Sequence, residues 1–175
     1  MPQSIFLIGL PGSGKSTVGR LVARETGRNF IDSDREIELR SGVSIATIFE
    51  LEGEAGFRKR ESQVLDELTQ RADVVLATGG GAVLAEANRT HLRSRGLVIY
   101  LEVSTDELVR RTSGDTSRPL LQADDPRTRV VELMQLRQPL YEATSHVSFH
   151  SGAANPRRLV KRIIEHPLVR SALRG

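Results

Sequence analysis

The stretch Gly9-Leu10-Pro11-Gly12-Ser13-Gly14-Lys15-Ser16-Thr17 restricts the folds open to this chain more than any other part of it. It follows an apolar run, Ile5-Phe6-Leu7-Ile8, and precedes Val18, Leu21 and Val22 at helical spacing. Strand, glycine-rich turn and helix start, in that order, form the setting that a G-x-x-x-x-G-K-[ST] phosphate loop requires. Glycine at 9, 12 and 14 lets the backbone turn sharply and approach a ligand closely. The N–H groups of Gly12, Ser13, Gly14, Lys15, Ser16 and Thr17 can then form a concave nest, to which the helix start adds partial positive charge. Lys15 supplies a point charge for β- and γ-phosphates, and the Ser16 hydroxyl is a candidate ligand for Mg²⁺.

Around this loop the pattern alternates. It predicts strands over residues 4–8, 29–31, 74–77, 97–101 and 147–149, and helices over 15–26, 36–40, 45–51, 55–71, 85–95, 105–112, 126–136 and 156–164. Ser104-Thr105-Asp106-Glu107 reads as a capping box. Residues 113–125 form a polar loop long enough to be a lid, and the tail from Pro167 reads as loosely held. Strands alternating with helices imply a parallel sheet covered on both faces, with ligands outside the carboxyl ends of its strands. Three such ends carry marked chemistry: the phosphate loop, Asp32-Ser33-Asp34 and Gly79-Gly80-Gly81.

At 175 residues, one α/β domain is the default, and it is long enough for its own core. With no cysteine, disulfides and thiolate metal sites are excluded. The first strand begins almost at the N-terminus, and no apolar run nears the roughly 18 residues of a membrane helix, so the expectation is a soluble, cytoplasmic protein. The net charge of +3 goes with a pI of about 9.8. The arginines are scattered and aromatics few, which fits a small anionic substrate better than nucleic acid.

Taken singly, the candidate residues have plainer readings. Asp34 could cap a helix, and Asp32 could simply end a strand. The triple glycine could be a turn, although bare backbone after a buried strand suits a ligand lying against it. Arg58 could belong to a solvated helix face, Arg118 to ordinary surface, and Arg137 to a helix C-terminus. His91, His146, His150 and His166 lack metal-ligand spacing and read as structural.

Together the segments resemble the shikimate kinases. The resemblance rests on residues 9–17, Asp32-Ser33-Asp34, Leu51-Glu52-Gly53-Glu54-Ala55-Gly56-Phe57-Arg58, Glu61, Ala77-Thr78-Gly79-Gly80-Gly81, Arg118-Pro119-Leu120-Leu121 and Arg137-Gln138-Pro139-Leu140-Tyr141. It implies a nucleoside-monophosphate-kinase-like fold, three-layer α-β-α with a five-stranded parallel sheet. It also implies a single kinase domain over 1–175, with a shikimate-binding segment at about 32–61 and a lid at about 113–125. The implied reaction moves the γ-phosphoryl of ATP to the 3-hydroxyl of shikimate, on the route to chorismate and aromatic amino acids. In that scheme Arg58 and Arg137 clamp the substrate carboxylate, and Gly79, Gly80 and Gly81 offer backbone to the ring. Asp34 orients the attacking hydroxyl and secondarily accepts its proton, being a poor base if its pKa lies near 4. Ser16 and Asp32 hold one Mg²⁺, while Lys15 and Arg118 neutralise the transferred group. Glu61 holds Arg58, and Arg111 and the Asn155-Pro156 loop flank the adenine. Ala154 departs from the family, many of whose members place arginine there.

Rivals are a gluconate or nucleoside monophosphate kinase of the same fold and, from the pI alone, a nucleic-acid-binding module. The joint presence of Asp34, Arg58, the triple glycine and Arg137 argues against them. The resemblance implies no nucleic acid or membrane partner, and no sequence seam calls for a dimer.

Overall fold

The computed structural model describes residues 3–113, 125–152 and 155–175. Five strands, β1 (Ser4–Ile8), β2 (Asn29–Asp32), β3 (Val74–Ala77), β4 (Gly96–Glu102) and β5 (Val147–His150), form one parallel sheet in the order β2-β3-β1-β4-β5. β1 lies at the centre, pairing Ile5 with Val75 on one side and with Leu97 on the other. Its next strand in sequence lies two places away and β4 lies against its other edge, so the order reverses there. A crevice opens at such a switch point beyond the strand ends, and the loop leaving β1 opens into it.

All of β1 is buried, which is why it carries no polar residue after Ser4. Its side chains alternate between two cores, as strand geometry requires. Phe6 and Ile8 join Leu76, Val98 and Tyr100 beneath α3 (Ile45–Leu68), α4 (Glu86–Arg95), α5 (Thr105–Thr112) and α6 (Pro126–Thr144). Ile5 and Leu7 join Val75 and Ile99 against α1 (Lys15–Thr26), α7 (Pro156–Glu165) and α8 (Pro167–Arg174). The result is three layers, with α2 (Ser33–Ser41) following directly on β2.

The structure amends the sequence expectations in several places. α2 begins at Ser33 rather than Glu36, because the Asp32 side chain accepts from the Asp34 and Arg35 N–H groups and starts the helix early. The two helices expected over 45–51 and 55–71 share one element, interrupted at Gly53 (φ 70°, ψ −178°) and ending at Leu68. A short 3-10 turn, Ala82–Leu84, precedes α4. At α5, Ser104 caps as expected, but the Glu107 side chain pairs with Arg110 and Arg111 instead of closing the box.

α6 does not stop at Leu136; it continues through Pro139 to Thr144. Proline there offers no N–H to the carbonyl one turn earlier. The last turns are held from outside by Tyr141, fully buried and stacked on Tyr100 at 5.0 Å between centroids. The tail is not loose: α8 buries Val169 and Ala172, and the Ala172 carbonyl accepts from the Gln3 N–H at 2.8 Å. Most of the expected lid, including Arg118, lies outside the described residues, as does Ala154. No helix among the described residues is long and apolar enough to cross a membrane.

Candidate active site

Beyond the carboxyl ends of β1, β2 and β3 lies a cleft of about 860 Å³, lined at one end by Gly12, Gly14, Lys15, Ser16 and Thr17 and at the other by Asp34, Arg58, Gly79, Gly80, Gly81 and Arg137. Segments far apart in sequence thus meet in one space.

At the first end, Gly12 (φ 84°) and Gly14 (φ 91°) take the left-handed backbone that glycine tolerates, and Gly14 caps α1. Lys15 is buried; its Nζ donates to the Gly9 carbonyl at 2.7 Å and the Leu10 carbonyl at 2.9 Å, which holds the ammonium over the loop. Ser16 Oγ donates to Asp32 Oδ2 at 2.5 Å, while Asp32 Oδ1 caps α2. The capping role considered for Asp34 therefore belongs to Asp32, and Asp34 is left for the cleft.

The loop is braced from behind. Ser151 Oγ, buried, donates to the Ser13 carbonyl at 3.0 Å. Arg111 donates to the carbonyls of Gly12 at 3.2 Å and Gly152 at 2.8 Å, and its Nε donates to Glu107 at 2.7 Å. Hydrogen bonds from Arg110 and Arg111 hold the Glu107 carboxyl down at about 2. Pro156 lines the cleft, whereas Asn155 is engaged as the cap of α7, accepting from the Arg157 N–H at 2.9 Å.

At the second end, Asp34 sits in the first turn of α2, and burial, reinforced by the neighbouring Glu61 and Asp32 carboxylates, pushes its carboxyl up to about 7. This revises the expectation of a poor base. Asp34 Oδ1 is buried with no hydrogen-bond partner among the described residues, as is Glu61 Oε2. Glu61, 1 % exposed on α3, accepts from Arg58 Nη1 at 2.8 Å, and Glu54 takes Arg58 Nη2 at 3.3 Å. Burial raises the Glu61 carboxyl and the Arg58 charge opposes it. Arg58 is thus an anchored cation. Arg137 is 3 % exposed on α6, and burial lowers its pKa while the neighbouring Tyr141 opposes that shift.

The triple glycine lines the cleft, and the protein's own side chains crowd it as well. None of the three takes a positive φ. A Cβ on Gly79 would lie 2.6 Å from Asp34 Oδ1, one on Gly80 2.5 Å from the Pro11 ring, and one on Gly81 2.3 Å from the Arg58 guanidinium. It is the protein's own functional groups, as well as any ligand, that need the bare backbone.

Two contributors escape a sequence reading. Tyr141 donates its hydroxyl hydrogen to the Gly80 carbonyl, and His150 lines the cleft near the phosphate loop. Tyr141 follows Pro139 in the chain, where a buried aromatic is indistinguishable from core. His146 and His166 are structural: each Nδ1 accepts a backbone N–H, from Val98 at 3.0 Å and Leu168 at 3.3 Å.

The arrangement suits transfer of a phosphoryl group to an acceptor carrying an anionic group: a nest and lysine for phosphates, a raised carboxyl beside it, and two anchored guanidiniums beyond. Comparison with known proteins agrees. A family model described as shikimate kinase matches residues 11–167. A shikimate kinase of Nitrosospira multiformis is 51% identical over 96% of this chain and 86% of its own length. One of Bordetella avium is 56% identical over 91% and 77%. The solved shikimate kinase of Acinetobacter baumannii, in complex with shikimate, shares 44% identity and a TM-score of 0.94, covering 98% of this chain and 94% of its own. A gluconokinase of Sinorhizobium meliloti, at 19% identity and a TM-score of 0.53, shares the fold alone. Because relatives this similar span nearly the whole chain and the cleft holds the groups such chemistry needs, this chain belongs to the shikimate kinase family.

Proposed function

We propose that this chain transfers the γ-phosphoryl group of ATP to the 3-hydroxyl of shikimate, giving shikimate 3-phosphate and ADP. The observation that carries the reading is the shared cleft, where Lys15 and the phosphate loop face Asp34, Arg58 and Arg137. Shikimate has one carboxylate and three ring hydroxyls. Arg58 and Arg137 take the carboxylate, for which planar guanidiniums are suited. Asp34 takes the hydroxyl that attacks. As the oxygen–phosphorus bond forms and the bond to the β-phosphate oxygen breaks, the hydroxyl proton passes to Asp34. A carboxyl at about 7 accepts it far better than an ordinary aspartate. In a loose transition state that proton leaves late, so orientation matters at least as much as basicity. Lys15 neutralises charge on the transferred group, and Arg118 is assigned the same task on its sequence motif alone.

We assign one Mg²⁺, brought in with ATP, to Ser16 Oγ and Asp32. Their adjacent hard oxygens fit the ion. Phosphate and water would complete the coordination of the ion. Bound there, Mg²⁺ neutralises phosphate charge. Arg111 and Pro156 are assigned to the adenine end, with Asn155 supporting the loop. We assign these roles to a monomer acting in the cytoplasm.

The test is ADP release in a coupled assay with Mg²⁺ and ATP, adding shikimate, gluconate, AMP or single-stranded DNA separately. Stimulation by shikimate alone is expected; stimulation by one of the others instead overturns the reading.

A further inference from the structure

Arg137 is the more deeply buried of the two guanidiniums, yet no carboxylate pairs with it among the described residues as Glu61 does with Arg58. Its near neighbour is a phenol. The Tyr141 side chain, one helical turn on and so on the same face of α6, interacts electrostatically with the guanidinium, and its hydroxyl donates its own hydrogen to the Gly80 carbonyl. Tyr141 is wholly buried, and burial raises its pKa, so the phenol stays protonated and keeps that direction of donation. Its ring is fixed by stacking on Tyr100. Gly80 in turn packs against Pro11 of the phosphate loop, with no space for a Cβ. One hydroxyl therefore ties α6 to the turn after β3.

We propose that Tyr141 is a positioning residue for acceptor binding: its hydroxyl bridges Arg137 to the Gly80 carbonyl and aims the guanidinium at the substrate carboxylate. This inference rests on the shikimate reading above. A neutral bridge suits the task better than a carboxylate would. A carboxylate would spend the positive charge of Arg137 on the protein, whereas a phenol fixes its direction and leaves that charge for the ligand. Position and charge are thus supplied separately for the two arginines.

The experiment is steady-state kinetics on Tyr141→Phe, with shikimate and ATP varied in turn. The substitution keeps the ring and its stacking and removes the bridge. The shikimate KM is expected to rise about tenfold, the scale of one hydrogen bond to a charged group, with the ATP KM within about twofold of its original value. In an Arg137→Ala background the same substitution is expected to change the shikimate KM less than about twofold, since the group it aims is gone. Tyr100→Phe, which alters the neighbouring ring, serves as control and is expected to leave both constants unchanged. An unchanged shikimate KM in Tyr141→Phe, an equal rise in both KM values, or a full-sized effect in the Arg137→Ala background each overturns the proposal. If the unaltered chain releases no ADP with shikimate, the functional reading fails and takes this inference with it. An active unaltered chain beside a kinetically silent Tyr141→Phe sinks the inference alone.

Discussion

At the phosphate end of the cleft the ligand-facing groups come from one unbroken stretch, Gly9–Thr17, and most are main-chain N–H groups; at the acceptor end the charged groups are side chains recruited from α2, α3 and α6, beside the glycine turn after β3. The supports differ in the same way. Arg111 and Ser151 hold the phosphate loop by its carbonyls, whereas Arg58 is held by the Glu61 and Glu54 side chains. Phosphate is common to many reactions, and a local backbone nest recognises it. A particular acceptor needs charges and a proton acceptor at set separations, which only tertiary packing supplies.

If the two ends are as separable as this suggests, substitutions should divide between kcat and acceptor KM. Lys15→Ala is expected to have the largest effect, lowering kcat by about 10³-fold or more while the shikimate KM moves less than about threefold. A comparable change in both constants breaks the division. Next, Arg58→Ala and Arg137→Ala should each raise the shikimate KM by about 30-fold with little change in the ATP KM. Arg58→Ala should also lower the melting temperature, because it strands the Glu61 carboxylate in the interior.

The third test uses pH. With the Asp34 carboxyl raised to about 7, kcat/KM for shikimate should fall about tenfold per unit below pH 7. The folded state holds that proton more tightly than the unfolded chain. Its contribution to stability is therefore greatest below pH 4 and is lost as pH rises toward 7. Asp34→Asn, nearly inactive, should then melt about 3 °C or more above the unaltered protein at pH 8 and lose that advantage at pH 4. An advantage that is the same at both pH values removes the raised carboxyl from the account. The smallest effect belongs to a pair remote from the division: Arg60→Ala breaks an exposed bridge to Glu52 and should shift melting by less than about 1 °C.

The same contrast governs how much could be read from the sequence. β1, the phosphate loop and α1 were legible to the residue, because apolar runs, glycines and helical spacing are local signals. At the acceptor end Asp34 and the triple glycine stand out at strand ends, but Arg58 and Arg137 gain a role only through the resemblance. Taken singly, Arg58 looks like a solvated face, although helical spacing puts Glu61, three residues on, between Phe57 and Val64 on the buried face. Asp32 and Asp34 were both legible as candidates, but not which one caps α2; that depends on backbone geometry at the strand end. The expected α6 stops at Leu136, whereas the helix runs through Pro139, against local propensity, to bury Tyr141. The last helix escapes for a similar reason: it is held by the start of the chain, far away in sequence, where the Gln3 N–H donates to the Ala172 carbonyl.

The crowding around Gly79 and Gly81 limits how this scaffold can diverge. A single extra carbon at either position displaces the Asp34 carboxylate or the Arg58 guanidinium, so even a small step in the turn after β3 disturbs the groups assigned to the acceptor. A descendant that phosphorylated another alcohol would have to change first on the surrounding helices, where side chains can be exchanged without moving the main chain.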